Sequence, residues 1–551
     1  MAPNKTTKPN KQTAEPVLDA VVVGAGFAGM YMVHRLREMG LSCVACEQGD
    51  GVGGTWYWNR YPGARCDVES MEYSYEFSDA LQQEWNWTER FAGQPEILRY
   101  ANHVADRFDL RRLIRFNTQV VSAHFDERAT LWRVTTQGLG EAGSNTREIL
   151  QARFCIMATG CLSSTNTPDF AGLDEFSGNV YHTGQWPKAG VDFTNRRVGI
   201  IGTGSSAIQS IPLIAEQARR LTVFQRTATY SVPARNEPLS AQEIAETKAN
   251  YAQLRADNHQ QPAAFGARFR RGGGSALASS RAAVRRDLER RWKVGGFAFM
   301  AGFNDFLLNE DANEIAAEFV RDKIRGIVNN AQTAELLCPD QIIGCKRLCF
   351  DTNYYATYNR DNVHLVSVKD HPIERVTSQG LVTNGAEYVV DDLVFSTGFD
   401  AMTGSLLKMD IRGRGGERLA DKWQAGPRTY LGLNMHGFPN LFTITGPGSP
   451  SVLANMIVAT QQHVNWICAA LSEMQADNKT LIEAQEEAEN DWVLHVNALA
   501  SQTLYPTCNS WYLGANVPGK PRVFMPHLGF PTYVERCEEV VQAGYKGFSI
   551  S

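Results

Sequence analysis

The 551 residues are 43% hydrophobic and 21% charged, which suits a globular chain of about three or four domains with large buried cores. A formal net charge of −5 and a pI near 6.2 give no reason to expect nucleic acid or an anionic membrane as partner. Eleven cysteines, an odd number without regular spacing, argue against a secreted disulfide framework, and no apolar run approaches the roughly 18 residues of a membrane span.

Residues 1–17 are polar, lack the apolar core of a signal peptide, and are expected to form a flexible tail. With the cysteine usage this points to a cytoplasmic protein. Asp19–Val23 then reads as a strand, followed by the loop Gly24-Ala-Gly26-Phe-Ala-Gly29, a helix through Arg37 and a second strand from Ser42 to Glu47. Ile156-Met-Ala-Thr-Gly160 reads as a buried strand ending at a glycine turn. A second strand–loop–helix–strand unit runs through Arg197–Ile201, Gly202-Thr203-Gly204-Ser205-Ser206-Ala207, a helix to about Gln217, and Leu221–Gln225. From about 236 to 331 Ala, Glu, Arg and Gln dominate and helices are predicted. Val394-Phe-Ser-Thr-Gly398 repeats the strand-to-glycine pattern.

The fold class expected is α/β: two interleaved Rossmann-like dinucleotide-binding domains with a helical insertion. The first domain is assigned to 18–160 and 391–551, the second to 161–235 and 332–390, and the insertion to 236–331.

A Gly-x-Gly-x-x-Gly turn between strand and helix brings backbone close to a pyrophosphate, whose charge rests on the helix N-terminus. The residue ending the following strand selects the nucleotide. Glu47 can accept hydrogen bonds from ribose hydroxyls and would repel a 2′-phosphate, which suits FAD or NAD. At the equivalent place in the second unit stands Arg226, whose guanidinium suits the 2′-phosphate of NADP.

Four spaced motifs then carry a family resemblance. Phe176-x-Gly178-x-x-x-His182-x-x-x-Trp186-Pro187 matches the fingerprint of type I Baeyer–Villiger monooxygenases. Gly53-Gly54-x-Trp56 with Tyr61-Pro62-Gly63 and Asp67, then Gly344-Cys-Lys-Arg-Leu-Cys-Phe-Asp351, then Gly446-Pro-Gly-Ser-Pro-Ser451 with Asn455-Met456, match three further motifs in order. The chain resembles the phenylacetone and cyclohexanone monooxygenase branch from Asp19 to Gly529.

That resemblance implies permanently bound FAD, transient NADPH, and insertion of one atom of dioxygen beside a ketone carbonyl to give an ester or lactone. It implies that Arg347, held by Asp67, stabilises a flavin peroxide anion and the oxyanion formed on its attack. Lys346 would join Arg226 and Thr227 at the 2′-phosphate. Trp511 would close over the NADP ribose, and Thr55, Trp56, Tyr73 and Met456 would lie around the flavin. His182 is expected to act as a hinge or coupling residue rather than in the chemistry. The partners expected are a small ketone and dioxygen, with no nucleic acid, membrane or metal, in a monomer or weak oligomer.

Other signals point elsewhere. Cys43-x-x-Cys46 could suggest a redox dithiol, but it lies on a predicted strand, far from a helix N-terminus that would activate a thiol. The arginines between Arg268 and Arg291 are interrupted by Asp287 and Glu289 and read as a solvated helix face. The competing readings are a flavin monooxygenase acting on nitrogen or sulfur, a flavoprotein disulfide reductase, and a redox-sensing FAD/NADP module.

Overall fold

The computed structural model describes residues 16–140 and 146–551. The expected tail lies outside the described residues, apart from its last two positions.

Two sheets organise the chain. The first has eight strands, and at its heart Leu18–Val23 runs parallel to both Cys43–Cys46 and Arg147–Met157. Thr118–Asp126 and Leu131–Gly138 extend it antiparallel, while Leu441–Thr443 joins Arg147–Met157 from the C-terminal part of the chain. The second sheet has five strands in the order Val363–Ser367, Arg220–Gln225, Arg197–Ile201, Asp392–Phe395, Asn179–His182, all parallel. Parallel strands covered on both faces are apolar throughout. Leu393, Val394 and Phe395 accordingly have no exposed surface.

In each sheet the strand before the glycine loop lies between its own βαβ partner and a strand from elsewhere in the sequence. The strand order reverses there, opening a crevice at the carboxyl ends where open α/β sheets take their ligands. The helices after the loops, Phe27–Glu38 and Ser205–Gln217, start within a few residues of the strand ends.

One expected boundary is wrong. Residues 391 onward are expected in the first domain, but Asp392–Phe395 is hydrogen-bonded inside the second sheet, between Arg197–Ile201 and Asn179–His182. The chain rejoins the first sheet only at Asp410–Arg412, after Gly398 turns with φ +79°. The strand is symmetric in its apolar character, so nothing in its composition shows which sheet it completes.

The segment 236–331 is helical, with Ala241–Ala249, Tyr251–His259, Arg281–Val294 and Glu310–Ile327. It straddles both cores: Tyr251, Leu254 and Phe265 pack in the first, Val284, Leu288, Trp292 and Phe319 in the second. The arginine face is not uniformly solvated. Arg291 is buried, pairs with Asp287, and donates to the carbonyls of Ala298 and Arg270. Among the described residues no helix is long and apolar enough to cross a membrane.

Candidate active site between the two glycine loops

The two loops are built alike. Gly24 has φ +105°, and a Cβ there would sit 2.6 Å from the carbonyl oxygen of Ala158 on the neighbouring crossing segment. Gly202 has φ +112°, with the corresponding oxygen, that of Ser396, at 2.4 Å. Only glycine fits either turn. Gly29 lets its helix pack on Gly24, and the fully buried Ala207 fills the matching place in the second loop. The caps of both following helices, Gly26 and Gly204, make no side-chain capping bond, which leaves the first backbone N–H groups available to an anion. A Cβ at Gly204 would meet nothing within 4 Å, so the loop faces open space there.

A cavity of about 740 Å³ joins the two loops, touching Gly24 and Gly26 on one side and Gly204 and Ser205 on the other. Glu47 reaches it from the end of the second strand. Its two carboxylate oxygens accept the backbone N–H groups of Ala25 and Gly49, each at 2.8 Å, and burial raises its pKa. Thr55, Trp56, Tyr73 and Met456 line the same cavity. The Trp56 indole donates to the Tyr73 hydroxyl at 3.1 Å, fixing both rings. Trp511 lines it too, half-buried, its ring 4.2 Å from that of Tyr512.

Gly29, Gly202, Thr203, Ser206, Ala207, Arg226 and Thr227 do not line the cavity. Thr203 donates to the carbonyl of Thr227 at 2.7 Å, tying the glycine loop to the strand end. Ser206 meets Thr183 of the fingerprint segment at 3.1 Å. Arg226 is exposed, and Lys346 comes near enough that burial first, and the Arg226 charge second, lower the lysine pKa. Neither cation forms a salt bridge among the described residues.

Arg347 and Asp67 meet at the cavity wall. The guanidinium donates through Nε and Nη2 to the two carboxylate oxygens at 2.7 and 2.8 Å, and through Nη1 to the carbonyl of Val452 at 2.8 Å. Three of its five N–H donors are thus taken. Burial opposes the charge, but Asp67 outweighs it and raises the arginine pKa, so Arg347 stays cationic. The Phe297 ring covers the guanidinium at 4.6 Å.

The fingerprint lies outside the cavity except near Gly184 and Gln185. His182 ends its strand, accepts the N–H of Gly184 on Nδ1 at 3.0 Å, and faces Thr397 through Nε2 at 3.4 Å. Burial lowers its pKa. Phe176 packs in the small core that includes Phe395, and a Cβ at Gly178 would lie 2.3 Å from the carbonyl of Asp391. Trp186 is buried against Tyr181 and Phe193, with ring centroids at 5.6 and 6.1 Å, while Pro187 is exposed.

Two features have no counterpart in the sequence reading. Cys345, immediately before Lys346, is disulfide-bonded to Cys508 across 163 residues, with Cα atoms 5.9 Å apart. Phe297 is an ordinary aromatic in a helical segment, and no spacing announces its place over Arg347. By contrast Cys43 and Cys46 lie on their strand as expected, and burial pushes their pKa values up to about 11 and about 12.

A model of the flavin-binding monooxygenase-like family matches residues 19–237. A Baeyer–Villiger monooxygenase of Pseudooceanicola batsensis is 42% identical over 541 residues, covering 97% of this chain and 97% of its own. This chain belongs to that family, in its Baeyer–Villiger branch. A solved steroid monooxygenase bound to NADP is 52% identical with TM-score 0.90, covering 97% of this chain and 99% of its own. The structure of OTEMO in complex with FAD and NADP is 41% identical with TM-score 0.92, covering 97% and 100%.

Proposed function

We propose that this Baeyer–Villiger family member oxidises ketones to esters or lactones, consuming NADPH and dioxygen and releasing NADP⁺ and water, with Arg347 as the charged group at the reacting centre. The first loop would hold FAD, with the N-terminus of Phe27–Glu38 receiving its pyrophosphate and Glu47 its ribose. The second would hold NADPH, with Arg226 and Lys346 to receive the 2′-phosphate. The residues fit both groups: each loop leaves a helix N-terminus without a side-chain cap beside one shared cavity. Bound FAD, once reduced by NADPH, supplies the reaction with dioxygen.

The observation that carries this reading is the Arg347–Asp67 pair at the cavity wall between the two loops. A cation oriented by Asp67 and the Val452 carbonyl would already face an anionic oxygen nucleophile and the carbonyl-derived oxyanion it forms. Such preorganised charge needs no reorganisation during the reaction. Asp67 orients the guanidinium, and the Val452 carbonyl fixes its third edge.

The test is product identification after incubation of the yellow protein with NADPH, air and a panel of cyclic, aryl and steroid ketones plus sulfides. Esters or lactones one oxygen heavier than the ketone are expected. Oxygenated sulfides with no ester from any ketone would assign the protein to heteroatom oxygenation instead.

A further inference from the structure

The Arg347 guanidinium carbon lies over the Phe297 ring, and Phe297 does not line the cavity. Its ring centroid is 4.6 Å from the guanidinium carbon, within cation–π range. The segment that delivers it is unusually constrained. Gly295 and Gly296 precede it with φ +76° and +63°, and a Cβ on Gly295 would lie 2.4 Å from the carbonyl of Pro233. The ring is then wedged edge-to-face against Phe350 at 4.4 Å and beside Phe265 at 5.1 Å. Phe297 packs against both main cores, so it belongs to the joint between the two sheets and the helical insertion.

We propose that Phe297 is a positioning residue for the reaction: its π face, aimed by the Gly295–Gly296 turn, holds the Arg347 cation against Asp67 and keeps water from that side. The proposal rests on the role given to Arg347 above. The physical reason is the division of labour around the guanidinium. Asp67 and the Val452 carbonyl take three of its N–H donors through hydrogen bonds, and the Phe297 ring adds a contact of a different kind. An aromatic face attracts the cation electrostatically, whereas an aliphatic side chain of equal bulk only fills the space. Phe297 thereby makes the geometry of the charged centre depend on the insertion being docked.

The experiment is ester formed per NADPH consumed, with hydrogen peroxide measured alongside, in holoenzyme carrying Phe297→Leu, Phe297→Tyr, or ring-fluorinated phenylalanines at 297. Flavin content and melting temperature monitor the fold. Phe297→Leu should lower kcat for ester by roughly 5- to 30-fold, the range a partly desolvated cation–π contact commands. NADPH KM should stay near wild type, and peroxide should take up the lost NADPH. Tyrosine should restore most of the yield, and each added fluorine should lower it stepwise, at unchanged flavin content. Ester yield from Phe297→Leu equal to wild type, or a fluorine series that is flat, would overturn the proposal while leaving wild-type ester formation intact. A wild-type enzyme that forms no ester would instead remove the role of Arg347 on which it rests.

Discussion

Asp67 and Arg347 lie 280 residues apart in sequence and share two parallel hydrogen bonds of 2.7 and 2.8 Å. Asp67 comes from the segment after the first glycine loop, and Arg347 from a turn that follows the helical insertion. The pair therefore forms only when the first sheet, the second sheet and the insertion are assembled together. Its partly buried position strengthens it relative to a surface ion pair.

On the proposed reading, Arg226 and Lys346 set the coenzyme preference. Replacing Arg226 or Lys346 with alanine should raise KM for NADPH by about 10-fold or more, since one charge-assisted contact to a phosphate is worth about 1.5–3 kcal/mol. KM for NADH should change little. Steady-state kinetics with both coenzymes checks this, and equal losses for the two would show that neither cation reads the 2′-phosphate.

Flavin retention tests the first loop. Glu47 accepts two backbone N–H groups that shape the loop, and the proposed function puts the flavin nucleotide's ribose beside it. Glu47→Ala removes both acceptors, so protein purified from this variant should carry substantially less flavin per chain than wild type. The ratio of visible to ultraviolet absorbance reads it directly.

A buried carboxyl nearby gives a pH signature. Glu72 is 1% exposed and accepts the N–H of Gly266 from the insertion. Burial, with help from Glu69, pushes its pKa from 4.5 up to about 7, against the pull of Arg268 and Arg255. Because the folded pKa lies above the unfolded one, the folded state binds the extra proton. Stability contributed at this site is greatest at low pH and declines as pH rises from about 4.5 to about 7. The span corresponds to on the order of 3 kcal/mol. Glu72→Gln should flatten that part of the stability–pH curve relative to wild type in parallel melts, and superimposable curves would show that Glu72 does not titrate this way.

The cysteines can be mapped chemically. Peptide mapping without reductant should recover Cys345 joined to Cys508 and the other nine cysteines alkylated as free thiols. Recovery of Cys345 and Cys508 as separate alkylated peptides would contradict the pairing.

Much of this architecture was legible because it rests on local rules. A short apolar strand, a glycine turn and a helix occur within about a dozen residues, so Leu18–Val23 and Arg197–Ile201 were located to within one residue. The long-range features were not. Asp392–Phe395 looks equally suited to either sheet, and its true neighbours lie some 200 residues away. Cys345 and Cys508 have no spacing that pairs them. Phe297 acquires its place only because two left-handed glycines and a packed aromatic trio aim it at a guanidinium from another part of the chain. Asp67 and Arg347 could be paired in advance only through the family resemblance, since charge and periodicity say nothing about contacts at such separation.

The most direct test of the account compares Arg347→Ala with wild type for ester formed from a ketone that the wild type oxidises, at matched flavin content. A fall of about 10²- to 10³-fold in the rate of ester formation is expected, the usual effect of removing one preorganised charge from a developing anion. Asp67→Ala should show a smaller loss of the same kind. An Arg347→Ala enzyme that makes ester at the wild-type rate would contradict it.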